Sequence, residues 1–170
     1  VMSLGNGYMG LRSATEERYL KETRNLFVAG TFNKFDESEV TELPNGADLI
    51  SIEFFINGEY FTLEKGSYRE YTRELNLRTG ELHRHFIWTS PKGEGISFDF
   101  YRIVSLKDLH VIAQRVELKS INKDLDIKIV SGIDGRMTNS GSQHFTDGDK
   151  RFYDKKYMQF VQSTTESNID

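Results

Sequence analysis

Histidines are the side chains of this sequence best suited to acid–base or metal chemistry near neutral pH. His83 and His85 are two residues apart in a segment of strand character, so they point to one side and could bind a metal ion. No third ligand is evident beside them, which favours two ordinary surface histidines. His144, followed by Phe145, lies in a polar loop, and loop residues more often carry function. No Ser or Cys nucleophile with an orienting acid is evident beside the His83–His85 pair or beside His144, so no catalytic residue is predicted.

The glycines of Gly5-Asn6-Gly7-Tyr8-Met9-Gly10 have the spacing of a dinucleotide-binding turn. Such a turn opens a helix within a βαβ unit and needs an acidic residue about 20 positions later. Here the surrounding sequence has the pattern of antiparallel strands, and Glu22 has no second strand to hold it. We therefore interpret the motif as a tight glycine-rich turn.

Strand periodicity dominates the chain, because apolar residues alternate strictly over residues 125–129 and 96–100. The alternation then shifts by one residue at Tyr101 and Ile103, which predicts a β-bulge. Asn57-Gly58 is a strong signal for a two-residue hairpin turn. Residues 78–80 and 91–95 are further turn signals, and short links of this kind join antiparallel neighbours.

The elements needed to position these side chains form an all-β domain. About seven or eight strands with closely spaced turns predict an antiparallel β-sandwich. Only residues 13–24 have a helical pattern, since Ser13 and Glu16 have the form of a capping box. Residues 134–156 are predicted to be one long polar loop, and residues 156–165 a further strand.

Composition excludes several classes of function. The 170 residues suit one domain, and a formal net charge of −4 gives no basic surface for nucleic acid. The chain has no cysteine, which fits a reducing compartment such as the cytoplasm. No apolar run is long enough to span a membrane. The chain begins without methionine and stops without a polar tail, so we expect it to be part of a longer protein.

A series of short segments resembles glycoside hydrolase family 65. The first, S-L-G-N-G-Y-M-G-L-R at residues 3–12, is similar to the family's opening block. The others, in the same order as in the family, are residues 29–32, 43–46, 56–59, 75–82, 102–106, 113–115, 131–135 and 138–139. The order and spacing of these blocks over nearly the whole chain carry the resemblance. Ser13 departs from it, because a second glycine commonly follows the arginine in the family.

The resemblance implies that residues 1–170 are part of an N-terminal β-sandwich of the galactose-mutarotase-like type. The catalytic (α/α)₆ barrel would lie outside this chain. The implied reaction is inverting phosphorolysis of an α-glucosyl disaccharide, such as maltose, trehalose, kojibiose or nigerose, to β-glucose 1-phosphate. Inorganic phosphate would be the co-substrate and no cofactor would be needed.

Within that enzyme, we expect loop 134–156 to reach towards the barrel and His144 and Phe145 to lie near the disaccharide substrate. We also expect a homo-oligomer in the cytoplasm, with neither a membrane nor a nucleic acid as partner. Two alternatives remain open at this point: a hydrolase of the same family, similar to an acid trehalase, and a stand-alone carbohydrate-binding β-sandwich.

Overall fold

The computed structural model describes residues 2–19, 22–153 and 157–170, and these ranges contain twelve strands and no helix. The strands are β1 (Ser3–Gly5), β2 (Met9–Arg12), β3 (Leu26–Val28), β4 (Ile52–Ile56), β5 (Glu59–Tyr60), β6 (Ser67–Asn76), β7 (Glu81–Thr89), β8 (Gly95–Val104), β9 (Ile112–Ser120), β10 (Ile127–Ser131), β11 (Asp149–Tyr153) and β12 (Tyr157–Val161).

Consecutive hairpins build a four-stranded antiparallel sheet in the order β6-β7-β8-β9. Its first two turns lie at residues 77–80 and 90–94, where turn signals were predicted. Gly80 and Gly93 have positive φ values of 68° and 80°, a conformation that glycine adopts without strain. The hairpins predicted at residues 78–80 and 91–95 are therefore confirmed.

Three smaller antiparallel sheets complete the described part of the chain: β1-β2-β3, β10-β4-β5 and β11-β12. Asn57 and Gly58 form the two-residue turn between β4 and β5, with φ values of 50° and 80°. Both values are positive, as a type I′ turn requires, so this predicted hairpin is confirmed. Gly7 lies in the turn between β1 and β2, which confirms a tight turn at the glycine-rich motif.

The core lies between the four-stranded sheet and two of the smaller sheets. Phe54 of β4 contacts Phe98 and Phe100 of β8, with ring centroids 5.7 and 5.8 Å apart. A second cluster joins Leu4 and Leu11 of the β1-β2-β3 sheet to Leu82 and Val104 of the large sheet. Sheets that pack face to face in this way confirm the all-β sandwich.

The bulge predicted at Tyr101 is wrong, because β8 keeps a continuous register with both neighbours from Ile96 to Arg102. Arg102 takes the inward position after Phe100 and is only 1% exposed. The apolar alternation breaks at this point of β8 because the inward position is occupied by a buried arginine, Arg102, and not by an apolar residue. The register shift lies instead in β6, between Arg69 and Thr72, where Glu70 has a φ of 57°.

The helix predicted over residues 13–24 is absent from the described residues 13–19 and 22–24, which are bent and extended. Glu16, the expected capping residue, turns inward and binds arginines of β7 and β8.

Residues 134–156 are not one loop, since they include β11, which pairs with β12. The strand predicted at residues 156–165 is observed as β12, and Lys156 itself lies outside the described residues.

Candidate functional site

A polar groove of about 620 Å³ lies beside the segment that follows β10. Its volume is in the range of small-molecule sites. Its lining includes Arg18, Glu53, Asp134, Arg136 and Gln143. The groove is therefore lined mainly by side chains that form hydrogen bonds or carry charge.

Asp134 is held between two arginines in this groove. Arg136 donates from Nε and Nη2 to its two carboxylate oxygens, at 2.8 and 3.0 Å, and Arg18 Nη2 donates to Oδ2 at 2.9 Å. These hydrogen bonds, those from Arg136 first, hold the pKa of Asp134 well below its usual range. Asp134 is therefore a fixed anion that can orient a ligand, and it has no proton to give at neutral pH.

The backbone fixes the position of Asp134. Asp48 and Asp134 exchange two hydrogen bonds, with N–O distances of 2.8 and 3.1 Å. Asp48 itself is buried, and its carboxylate accepts a hydrogen bond from the Ile50 amide at 3.0 Å. These backbone hydrogen bonds hold residue 134 against residue 48, which lies just before strand β4.

His144 is 1% exposed and connects the same segment to residues 33–42. Asn33 Nδ2 lies 3.0 Å from His144 Nδ1, and because an amide nitrogen only donates, Nδ1 accepts. Nε2 of His144 then carries the proton and lies 3.3 Å from Glu42 Oε2. Phe145 forms an isolated antiparallel bridge with Thr164.

Neither His144 nor Phe145 lines the groove, although their neighbours Gln143 and Asp147 do. His144 has the contacts of a buried structural residue, since its ring is enclosed by Asn33, Glu42 and Phe35. The adjacency of His144 and Phe145 to substrate stays a prediction.

His83 and His85 point to the same side of β7, as their spacing predicts. His83 Nε2 and His85 Nδ1 both lie close to Asp99 Oδ1, at 2.9 and 3.0 Å. Among the described residues, no group of three or more His, Asp or Glu side chains is arranged to hold a metal ion. The pair has the geometry of a hydrogen-bonded cluster on the outer face of the large sheet.

A buried ionic cluster positions the segment that carries Arg18, and the sequence reasoning missed it. Arg84 of β7 donates to Glu17 at 2.6 Å and to Glu16 at 2.8 Å, and Arg102 of β8 also donates to Glu16. All four side chains are at most 5% exposed. Arg84 and Arg102 each occupy an apolar position of a strand, and this signal in the sequence could have revealed the cluster.

The described residues include no helix with the length and apolar character of a membrane span. The described residues thus form a polar groove with a fixed carboxylate, Asp134, between two arginines. The buried ionic cluster of Glu16, Glu17, Arg84 and Arg102 holds the segment that carries one of these arginines, Arg18.

Comparison with known proteins places this architecture in a family. Residues 1–170 match the model of glycosyl hydrolase family 65, N-terminal domain. The chain is 44% identical over 169 residues to the kojibiose phosphorylase of Halothermothrix orenii, and 35% identical over 170 residues to that of Escherichia coli. It is 31% identical over 153 residues to the α,α-trehalose phosphorylase of Thermoanaerobacter brockii. These alignments cover 99%, 100% and 82% of the chain.

The fold has a counterpart among solved structures. A chain from the human microbiome, provisionally assigned as a kojibiose phosphorylase, superimposes with a TM-score of 0.85 at 21% identity. The superposition covers 97% of this chain and 23% of the other. The chain likewise spans 22% of the length of the H. orenii and E. coli relatives, so most of each relative has no counterpart here.

Proposed function

The chain belongs to glycoside hydrolase family 65, and on that premise we propose that it is the non-catalytic N-terminal domain of a phosphorylase that acts on α-glucosidic disaccharides. The observation that carries the proposal is the match of the family's N-terminal domain to every residue of the chain. The curated relatives named above, which are kojibiose and trehalose phosphorylases, support the substrate class.

The reaction itself explains why this domain can lack a catalytic group. In inverting phosphorolysis, phosphate oxygen attacks the anomeric carbon while the bond to the departing sugar breaks. An enzymic acid gives its proton to the leaving oxygen, and the product is β-glucose 1-phosphate. Phosphate is already a nucleophile, so no base or metal activates it. The acid must keep its proton at neutral pH, and Asp134, the groove carboxylate held between two arginines, does not.

We assign the groove beside Asp134 as the face that packs against the catalytic domain. It combines exposed arginines with a fixed carboxylate, and polar surfaces of this kind are typical of contacts between domains. Arg18 and Arg136 keep 46% and 86% of their side chains exposed, so both are free to bind further acceptors. The role of the domain would then be to support the substrate site from one side.

We place the protein in the cytoplasm and expect a homo-oligomer. The lack of cysteine fits a reducing compartment. The net charge of −4 gives no attraction to the phosphates of nucleic acid.

An exchange experiment tests the proposed function. This chain replaces the 169 matched residues of the 44% identical kojibiose phosphorylase, and release of glucose 1-phosphate from kojibiose and phosphate is measured. The unmodified relative is the positive control, and the isolated chain is the third sample. We expect activity in the exchanged enzyme and none in the isolated chain. A folded but inactive exchanged enzyme, or release by the isolated chain above a blank, would contradict the proposal.

A further inference from the structure

Two tyrosines of β6 share one face of the sheet because of a backbone irregularity. In a regular strand, residues three apart point to opposite faces. Here Arg69 pairs with Ile87 and Thr72 with His85, so Glu70 and Tyr71 together oppose Phe86. Glu70 adopts a φ of 57°, which is uncommon for a residue other than glycine. As a result Tyr68 and Tyr71 both turn to the inner face, with ring centroids 5.9 Å apart.

These tyrosines line a second groove, of about 530 Å³, that shares no residue with the groove at Asp134. Tyr71 stacks on the buried ring of Phe86, with centroids 5.9 Å apart and planes 13° from parallel. Tyr68, Tyr71 and Tyr19 nevertheless remain 56%, 40% and 48% exposed. Three large aromatic rings thus surround an open groove on the inner side of strand β6.

Polar groups lie between the rings. Thr15 and Glu17, which are both buried, line the groove, and Arg73 lines it two residues after Tyr71 on β6. The buried ionic cluster fixes the carboxylate of Glu17 in place through two hydrogen bonds from Arg84. The groove is therefore lined by a hydroxyl, a fixed carboxylate and a guanidinium group beside the aromatic rings.

We propose that this tyrosine groove binds a glucosyl saccharide. A pyranose ring presents flat patches of C–H groups that pack on aromatic rings, and equatorial hydroxyls that both donate and accept hydrogen bonds. The tyrosines supply the first kind of contact, and Glu17, Thr15 and Arg73 supply the second. The volume is that of a typical small-ligand site. The groove itself follows from the geometry, whereas the choice of an α-glucosyl ligand rests on the proposed function.

A titration of the chain with kojibiose, followed by amide NMR, tests the inference. We expect saturable shifts confined to residues 15–19, 63–64 and 68–73, with a dissociation constant on the order of 1 mM, because the groove is open to solvent. Tyr68→Ala should weaken binding about tenfold or more, since Tyr68 is the most exposed of the three rings. Tyr71→Ala also removes a contact with Phe86, so Tyr68→Ala is the more informative variant.

Tyr60→Ala is the matched control, because Tyr60 is also exposed, at 39%, but lies on β5 outside the groove. It should leave the titration unchanged. Absence of shifts at up to about 50 mM kojibiose, or shifts centred elsewhere, would overturn the inference. Equal binding of cellobiose, which is β-linked, would overturn the assignment of an α-glucosyl ligand. The exchange experiment reports on the proposed function independently, since it measures phosphate-dependent turnover and not binding to this groove.

Discussion

Arg102→Met tests whether the ionic cluster below the candidate site stabilises the domain. The cluster holds two carboxylates, Glu16 and Glu17, and two guanidinium groups, Arg84 and Arg102, so its formal charges balance. Methionine has a similar length but no charge. The variant would leave one buried negative charge without compensation and remove the hydrogen bond, 3.1 Å long, that Arg102 donates to the carbonyl of Ala14.

The expected loss is about 3–5 kcal/mol, the range for removing one partner of a buried ion pair. Arg102 is 1% exposed and Glu16 is 4% exposed, so solvent screens the remaining charge poorly. A domain is stable by only about 5–15 kcal/mol, so this loss would be a large fraction of the total. Replacing Glu16 as well, in Glu16→Leu/Arg102→Met, should recover most of it, because the remaining Glu17–Arg84 pair is again balanced.

Urea unfolding followed by the fluorescence of Trp88, the single and buried tryptophan, measures these changes. With a slope of about 1–3 kcal/mol per molar urea, Arg102→Met should lower the midpoint by roughly 1–5 M. Arg115→Met is the matched control on β9, since Arg115 and its partner Glu117 are 61% and 55% exposed. It should cost less than about 1 kcal/mol. If Arg102→Met cost no more than this control, the stabilising role of the cluster would be refuted.

Three further predictions concern the turn at Gly58, the charge of Asp134 and the self-association of the chain. Gly58→Val should cost on the order of 1–3 kcal/mol, because a β-branched residue is strained at a φ of 80°; an unchanged melting temperature would contradict this. Folding lowers the pKa of Asp134, so the ionised carboxylate stabilises the folded protein. This contribution is fully present above the pKa of the unfolded state, about 3.9, and is lost as the pH falls through the pKa of the folded state. The stability difference between wild type and Asp134→Asn, from urea midpoints at pH 7 and pH 3, should therefore shrink at low pH, and a constant difference would argue against it. We also expect concentration-dependent self-association by sedimentation, since the described residues leave β6 and β9 as edges of the large sheet; a monomer at every concentration would speak against it.

The hairpins could be predicted from the sequence because their signals are local. Asn57-Gly58 and the turns before β7 and β8 need only a few residues with particular backbone preferences. The alternation of apolar residues in β8 likewise depends on the strand itself. These features, together with the ordered blocks of the family, are enough to predict a β-sandwich.

The rest depends on partners that are distant in the sequence. Glu16 does not cap a helix, because it binds Arg102, which lies 86 residues further along the chain. His144 is enclosed by Asn33, 111 residues before it, so its loop position gave no indication of burial. The tyrosine groove depends on a bulge at Glu70, and glutamate carries no local signal for positive φ.

Hydrogen exchange in the exchanged enzyme tests most directly whether this domain works by packing its polar groove against a catalytic domain. Amide protection of residues 132–149 is compared between the isolated chain and the active exchanged enzyme. We predict that these amides, which flank Asp134 and Arg136, become more protected in the enzyme, while those of β7 and β8 change little because they are already paired. An active exchanged enzyme in which residues 132–149 exchange as fast as in the isolated chain would contradict the account.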